Sequence, residues 1–371
     1  MDDRAFGYDG GASPMLLDHA SVVRGTPKMN RLPPLDVRIP PWNLDDLVAR
    51  ACPYCGTVEN QPHCVRPDGL TVRECRLCSA FFISPAPTEA QLSSFYANYD
   101  KAHRLEAPAT PAELLSLYRD QGPLYDFRVR ELSSMMAFEN KRVLDVGFGR
   151  AHFMWCLQSL GADVHGIELD DAAIAIARQL GLTSVRNATI DECADDAPYD
   201  LIVLNDVVEH PLAPMKLLHA CAKLLAPGGV LLIWTPNGGA ARGAEAPVTF
   251  RVDLEHMQYL TPEACSMMSG VLGLQISHFE TYGFPSLSNL EGALQQSGGS
   301  TRVRRAARAV PGLAKAVRKF RTWKSQWTSP DGRLGAYHLF CIYQKPQGAT
   351  ERRLADAESQ GGALQPGGSK G

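Results

Sequence analysis

From Lys141 onward, short runs of consecutive apolar residues alternate with stretches in which apolar residues return every third or fourth position. The runs predict strands at 142–146, 163–169, 183–186, 200–205, 230–235, 274–282 and 336–344. The 3.6-residue pattern predicts helices between them at 153–160, 172–180, 215–225 and 262–272. Each return between parallel strands needs a crossover, so this alternation predicts a doubly wound, Rossmann-like α/β domain over 141–346. Its sheet would be seven-stranded and mostly parallel, with a helical insert before the last strand.

The text upstream is different in kind. Residues 1–48 hold Pro14, Pro27, Pro33, Pro34, Pro40 and Pro41 with little apolar period, which predicts a disordered lead-in. Residues 49–100 are compact and cysteine-bearing. Residues 101–140 carry helical spacing through Leu114, Leu117, Tyr118, Leu124, Val129, Leu132 and Met136, as a linking or capping segment would. The Gly-, Ser- and Gln-rich tail at 347–371 reads as disordered.

Composition narrows the class. The chain is 371 residues long, 45% hydrophobic and 21% charged, with a formal net charge of -3, so no global electrostatic pull toward nucleic acid is expected. The opening MDDRAFGYDGG lacks an apolar h-region, and no run of about 18 apolar residues occurs. A cytoplasmic location is expected.

Ten cysteines in such a chain point to reduced thiols and a metal rather than to disulfides. Cys52-x-x-Cys55 and Cys75-x-x-Cys78 are separated by nineteen residues, the interval at which two thiolate knuckles close on one tetrahedral Zn²⁺. A small zinc ribbon is therefore expected at 49–100, structural because four thiolates leave no open position. His63 and Cys64, between the knuckles, are substitute ligands by residue type, although a loop histidine more often faces solvent.

The loop after the first predicted strand of the α/β domain carries the cofactor signal. Asp145, Gly147, Gly149 and Ala151 fit D-x-G-x-G-x-(G/A), where missing side chains let the backbone turn tightly against an adenosyl group. A dinucleotide loop wants glycine or alanine at the sixth position of G-x-G-x-x-G, which here is His152. That disfavours a nucleotide-dependent dehydrogenase. S-adenosylmethionine has no phosphate to cradle and instead needs an acid before the loop for its ammonium end, a place Asp145 fills. Glu168 follows 23 residues later at the next strand's tip, where a carboxylate accepts both ribose hydroxyls, and Leu169 adjoins it.

These residues resemble the class I S-adenosylmethionine-dependent methyltransferases, in particular the ubiquinone-biosynthesis-like branch and its relatives in bacterial sugar and polysaccharide modification. The likeness covers about 141–345 and rests on VLDVGFGRAHF, VHGIELD, PYDLIVLNDVVEHP and LLAPGGVLLIWTPN. Asp200, Glu209 and His210 match the branch's strand and the Glu-His turn that follows it; Ala151 departs from the commoner glycine. The resemblance implies that Asn205 and Asp206 lie beside the methionine part of the cofactor. By association, CPYCG and RECRLCSAFFISPAPTEAQLSSFY are similar to the zinc-knuckle leader of such bacterial enzymes, which implies a sugar, glycan, lipid-linked or other small-molecule acceptor.

A sulfonium methyl is already electrophilic, so the protein mainly aligns an acceptor oxygen or carbon and helps remove its proton. His210 with Glu209 is the first candidate for that work and His256 the second; either could instead brace its loop. The insert, 283–330, contains a basic amphipathic stretch at 302–327, with Arg302, Arg304, Arg305, Arg308, Lys315, Arg318, Lys319, Arg321 and Lys324 opposite Val303, Val310, Leu313, Val317, Phe320, Trp323 and Trp327. Such a helix either docks peripherally on an anionic membrane, here the inner face, or covers the active site with a solvated charged side. A catalytically silent cofactor-binding module that recruits a partner is the alternative outside enzymes.

Overall fold

The computed structural model describes residues 31–35, 38–97, 110–196, 198–242, 247–282 and 337–347. In chain order the N-terminal part contributes β1 (Leu47–Val48), β2 (Asn60–Val65), β3 (Thr71–Cys75), β4 (Phe81–Ile83), β5 (Ala86–Pro87) and α1 (Glu89–Tyr96). Two helices follow, α2 (Pro111–Gln121) and α3 (Phe127–Met135). The α/β domain then runs β6 (Arg142–Val146), α4 (His152–Ser159), β7 (Asp163–Glu168), α5 (Asp171–Gln179), β8 (Val185–Asn187), β9 (Tyr199–Asn205), α6 (Pro214–Leu224), β10 (Leu225–Pro236), β11 (Gln258–Tyr259), α7 (Pro262–Leu272), β12 (Gln275–Tyr282) and β13 (His338–Gln344).

The main sheet has seven strands in the order β12-β13-β10-β9-β6-β7-β8. Its pairings are parallel from β10 through β8, while β13 runs antiparallel between β10 and β12. The doubly wound reading of the sequence holds. Central strands are buried on both faces, which is why β6, β9 and β10 read as unbroken apolar runs rather than as alternation. Helices supply the covering stripes: α5 buries Ala173, Ile174 and Ala177, and α6 buries Leu218, Cys221 and Ala222.

The chain leaves β6 for β7 and β8 on one side, then returns to place β9 on the other side of β6. That reversal makes β6 and β9 the switch point, and a crevice at their carboxyl ends is where such sheets take a ligand. Asp145 pairs in register with Gly166 of β7 and Val203 of β9, so it lies in the innermost strand of the sheet.

The cysteine-bearing part is fused to this domain rather than strung beside it. β11, which belongs to the loop system after β10, completes the sheet β11-β4-β3-β2. Cys52, Tyr54, Cys75, Cys78 and Phe82 belong to the same apolar cluster as Leu204, Val208 and Met268. The lead-in also ends earlier than residue 48. Leu32 and Trp42 are buried, the Trp42 indole donates to Asp68 at 3.0 Å and packs on Phe95, and β1 pairs with β5. The contacts there are made by side chains outside any helix or strand, which a period-based reading does not register. Among the described residues no helix is long and apolar enough to cross a membrane. The basic stretch 302–327 lies outside the described residues.

Candidate functional site

The crevice begins with the turn from β6 into α4. Gly147 and Gly149 have φ of 68° and 51°, a left-handed region where a side chain costs about 1–2 kcal/mol. A Cβ on Gly147 would stand 2.9 Å from the Val207 side chain, whereas a Cβ on Gly149 would meet no atom within 4 Å. The space over Gly149 is thus open. Ala151 also adopts φ 58°, which explains locally why a glycine is the easier residue there.

Two acids flank this turn. Asp145 is buried, its Oδ1 has no partner among the described residues, and burial pushes its carboxyl up to about 8, a rise that the nearby Arg128 moderates. Glu168 Oε2 accepts from the Gly149 amide at 3.0 Å, and its Oε1 accepts from the Leu169 amide at 2.7 Å and the Asp170 amide at 3.2 Å. These bonds fix the carboxylate at the lip of the turn. Leu169 itself is exposed.

Asn205 and Asp206 close the other side, at the end of β9. Asn205 Oδ1 has no partner among the described residues, and Asp206 sits at φ 53° with its amide donating to the Trp234 carbonyl at 2.8 Å. Burial raises the Asp206 carboxyl to about 6. Three acids around one crevice call for a cation.

That cation, which sequence reasoning missed, is Arg128. Asp126 caps α3 by accepting from the Arg128 amide at 2.9 Å, and it also accepts from Arg128 Nε at 3.1 Å and Nη2 at 2.8 Å. The guanidinium lies over the rings of Phe153 and Trp234, 5.4 and 5.5 Å from their centroids. Burial alone would lower its pKa, but the bonds and charge of Asp126, with Asp206 and Asp145 beyond, hold it above the ordinary value. No motif surrounds Arg128; the only trace in the text was an Asp-x-Arg pair at the start of a helical pattern.

The Glu-His turn after β9 builds the opposite end. Glu209 is fully buried; its Oε2 accepts from the Thr235 hydroxyl at 2.9 Å and its main-chain carbonyl accepts from the Met257 amide at 2.8 Å. Its Oε1 has no partner among the described residues and stands 4.0 Å from His256 Nε2. His210 meets Tyr96 of α1 through Nδ1 at 2.8 Å, and its ring packs edge-on against His256 with centroids 4.8 Å apart. Burial raises the Glu209 carboxyl well above its usual range and lowers both imidazoles. All three candidates for acceptor chemistry therefore come together.

The ribbon holds them there. Arg66, fully buried, donates to the carbonyls of His256 at 2.6 Å and Leu254 at 2.5 Å and to the Tyr259 hydroxyl at 2.9 Å, while Asp68 balances its charge. Arg50 donates to the carbonyls of Ile83, Leu212 and Met257. The four ribbon thiols face one another, with Cys52 and Cys78 sulfurs 3.5 Å apart and Cys55 and Cys75 sulfurs 3.4 Å apart. Cys64 is buried in a different cluster, and His63 is half-buried, its ring edge-on to Phe81 and Phe250.

Residues 118–278 match the family model described as a methyltransferase domain. The ubiquinone biosynthesis O-methyltransferase of Cereibacter sphaeroides is 37% identical over 114 residues, 29% of this chain and 46% of that one. The protein of that name from Marinobacter nauticus is 32% identical over 127 residues, 31% of this chain and 53% of that one. The chain spans about half the length of the curated relatives it matches. Among solved structures, a putative sarcosine dimethylglycine methyltransferase from Galdieria sulphuraria aligns with a TM-score of 0.42 and 18% identity, over 60% of this chain and 85% of that one. The family match places a methyltransferase domain at residues 118–278, and the acid, glycine turn and acid at the sheet's switch point lie within it, an arrangement similar to that of the class I S-adenosylmethionine-dependent methyltransferases.

Proposed function

We propose that this protein transfers the methyl group of S-adenosylmethionine to an oxygen of a small-molecule acceptor. The observation that carries the reading is the crevice at β6 and β9, where Asp145, Glu168 and Arg128 surround an open glycine turn. Asp145 would receive the ammonium of the methionine part and Arg128 its carboxylate, while Glu168 would accept from the ribose hydroxyls. Asn205 and Asp206 would border the methionine chain between them. S-adenosylmethionine supplies an electrophilic methyl on a sulfonium, so alignment is the larger part of the catalysis.

Glu209, His210 and His256 stand at the far side of the same strand tips and would assist the acceptor in losing its proton. Oxygen is favoured over carbon because the named relatives are O-methyltransferases. The cysteine-rich leader and the basic sequence at 302–327 support a sugar, glycan or lipid-linked molecule as that acceptor.

The ribbon would hold one structural Zn²⁺ on Cys52, Cys55, Cys75 and Cys78. Zinc–sulfur bonds of about 2.3 Å set tetrahedral sulfurs about 3.8 Å apart. The thiol pairs lie close to that spacing, and all four sulfurs fall within 4.8 Å of one another. The donor set fits the ion.

Calorimetry with S-adenosylhomocysteine on the full chain tests the donor. Binding that weakens by at least about 10-fold in Glu168→Ala, as loss of a charged hydrogen-bonding partner implies, supports the reading. Absence of binding, or equal binding by the variant, rejects it. A labelled-methyl screen over hydroxylated small molecules, nucleotide sugars and lipid-linked glycans then identifies the acceptor.

A further inference from the structure

Buried polar atoms that lack a hydrogen-bond partner among the described residues gather around the crevice: Asp145 Oδ1, Asn205 Oδ1, Glu209 Oε1, His256 Nδ1 and the Tyr337 hydroxyl. Methyl transfer as proposed gives each of these residues a role except Tyr337.

The fold sets that residue at the strand tips. Tyr337 directly precedes β13, and the antiparallel register that pairs His338 with Pro236 puts it opposite Asn237, whose amide donates to the Tyr337 carbonyl at 2.6 Å. It therefore stands at the carboxyl end of β10, the strand next to β9. Its ring packs with Leu35, Val248 and Val252 and lies edge-on to His338, whose own ring stacks on Trp234 with centroids 4.4 Å apart. Only 5% of the residue is exposed, so close packing holds the hydroxyl in one place.

The hydroxyl is a donor there. Burial raises the phenol well above its ordinary pKa, and the neighbouring Asp253, Tyr259, Asp206 and Glu209 raise it further. A proton held this firmly is offered but not released, so Tyr337 is no general base. A buried hydroxyl with no acceptor is destabilising, and a ligand oxygen seated against it relieves the strain of desolvation.

We propose that Tyr337 selects the acceptor: its hydroxyl donates a hydrogen bond to an uncharged oxygen of the bound acceptor other than the oxygen that takes the methyl group. A bond donated to the attacking oxygen would occupy the electron pair needed for attack, so a second oxygen is implied. Asp253, Asp206 and Glu209 around the hydroxyl disfavour a carboxylate or phosphate in that place. The acceptor is then a molecule with at least two oxygens, neutral at the end that enters the crevice. This assignment rests on the methyl-transfer reading and adds to it a residue that touches the acceptor.

Tyr337→Phe in the full chain tests it, beginning without any acceptor. A hydroxyl with no protein partner adds nothing to the fold, so the ligand-free variant should melt no lower than the parent. A lower melting temperature would mean that the hydroxyl has a structural partner, and overturns the proposal. Ligand-detected NMR in excess S-adenosylhomocysteine then uses phenol and methyl β-D-glucopyranoside for their neutral oxygens, toluene as the oxygen-free match of phenol, and benzoate as the anion. The variant should bind phenol or the glucoside about 3- to 10-fold more weakly than the parent, with toluene and S-adenosylhomocysteine bound as before. The parent should prefer phenol to benzoate. Equal binding of the oxygenated probes by both chains, an equal loss of toluene, or a parent that takes up neither oxygenated probe at about 50 mM overturns the contact. Benzoate bound as tightly as phenol overturns the uncharged oxygen. Probe binding that depends on Tyr337 in a parent unable to bind S-adenosylhomocysteine supports the contact and counts against the methyl-transfer reading instead.

Discussion

Arg66 donates its Nη1 hydrogen to the main-chain carbonyl of His256 at 2.6 Å. One residue belongs to the hairpin of the cysteine ribbon and the other to the loop that brings His256 beside Glu209 and His210, so the ribbon is a jig for that loop. The guanidinium has no exposed surface and is balanced by Asp68, which is equally buried.

Arg66→Met should therefore be severely destabilising, by about 3–5 kcal/mol, because it strands a buried aspartate and two carbonyls. Chemical denaturation measures the loss. Hydrogen exchange should rise first in 254–259, where Arg66 holds the carbonyls of Leu254 and His256, and a chelator that removes the zinc proposed for the ribbon should open the same amides. Unchanged protection there in both experiments would mean that the loop is held by something else.

Asp145 makes the domain sensitive to pH. Its carboxyl is raised to about 8 from an ordinary 3.8, mainly by burial. A carboxyl with a raised folded pKa favours the fold most when protonated. That contribution is complete below the ordinary value and is lost as pH climbs from about 4 to about 8. Ligand-free Asp145→Asn should thus melt higher than the parent at pH 8 and nearly equal to it at pH 4, while binding S-adenosylhomocysteine more weakly.

The same residue predicts a proton count. An ammonium docking on Asp145 favours its ionised form, so near pH 7 binding should release a proton. Calorimetry of S-adenosylhomocysteine in buffers of different ionisation enthalpy reads this directly. Proton uptake, or no buffer dependence, would place the ammonium elsewhere.

Gly147 and Gly149 should respond differently to the same change. Alanine at Gly147 meets Val207 at 2.9 Å in addition to adopting an unfavourable φ, so stability should fall by about 2 kcal/mol. Alanine at Gly149 has open space and should cost only about 1 kcal/mol. Its effect should instead fall on S-adenosylhomocysteine affinity, at least about 10-fold, since the added methyl occupies the place of the ligand. Comparable affinity would show that nothing binds over that turn.

Arg128→Met should lower S-adenosylhomocysteine affinity by about 10- to 100-fold through loss of a charge-assisted pair with the carboxylate. An analogue lacking that carboxylate should bind parent and variant alike. If the variant loses the analogue to the same extent, Arg128 serves only to hold α3 in place.

Local text settled a good deal. Apolar runs and 3.6-residue periods placed β6, β7, β9, β12 and β13 and all four domain helices within two residues, because burial on both faces of a parallel sheet imposes those patterns on neighbouring residues. Leu225 was the exception: its pairing with Tyr199 lengthens β10 across the Pro227-Gly228-Gly229 bend, and a turn signal cannot reveal a partner strand. Asp145, Gly147, Gly149 and Glu168 were equally legible, since one strand, one turn and the next strand fix their separation along the chain.

What no window of sequence contained was the meeting of distant segments. Arg128 reaches the crevice from a helix read as a linker, Tyr96 touches His210 across 114 positions, and Arg66 clasps His256 across 190. Chemistry of this kind depends on which surfaces the folded core presses together, a property of long-range packing that residue spacing along the chain does not encode.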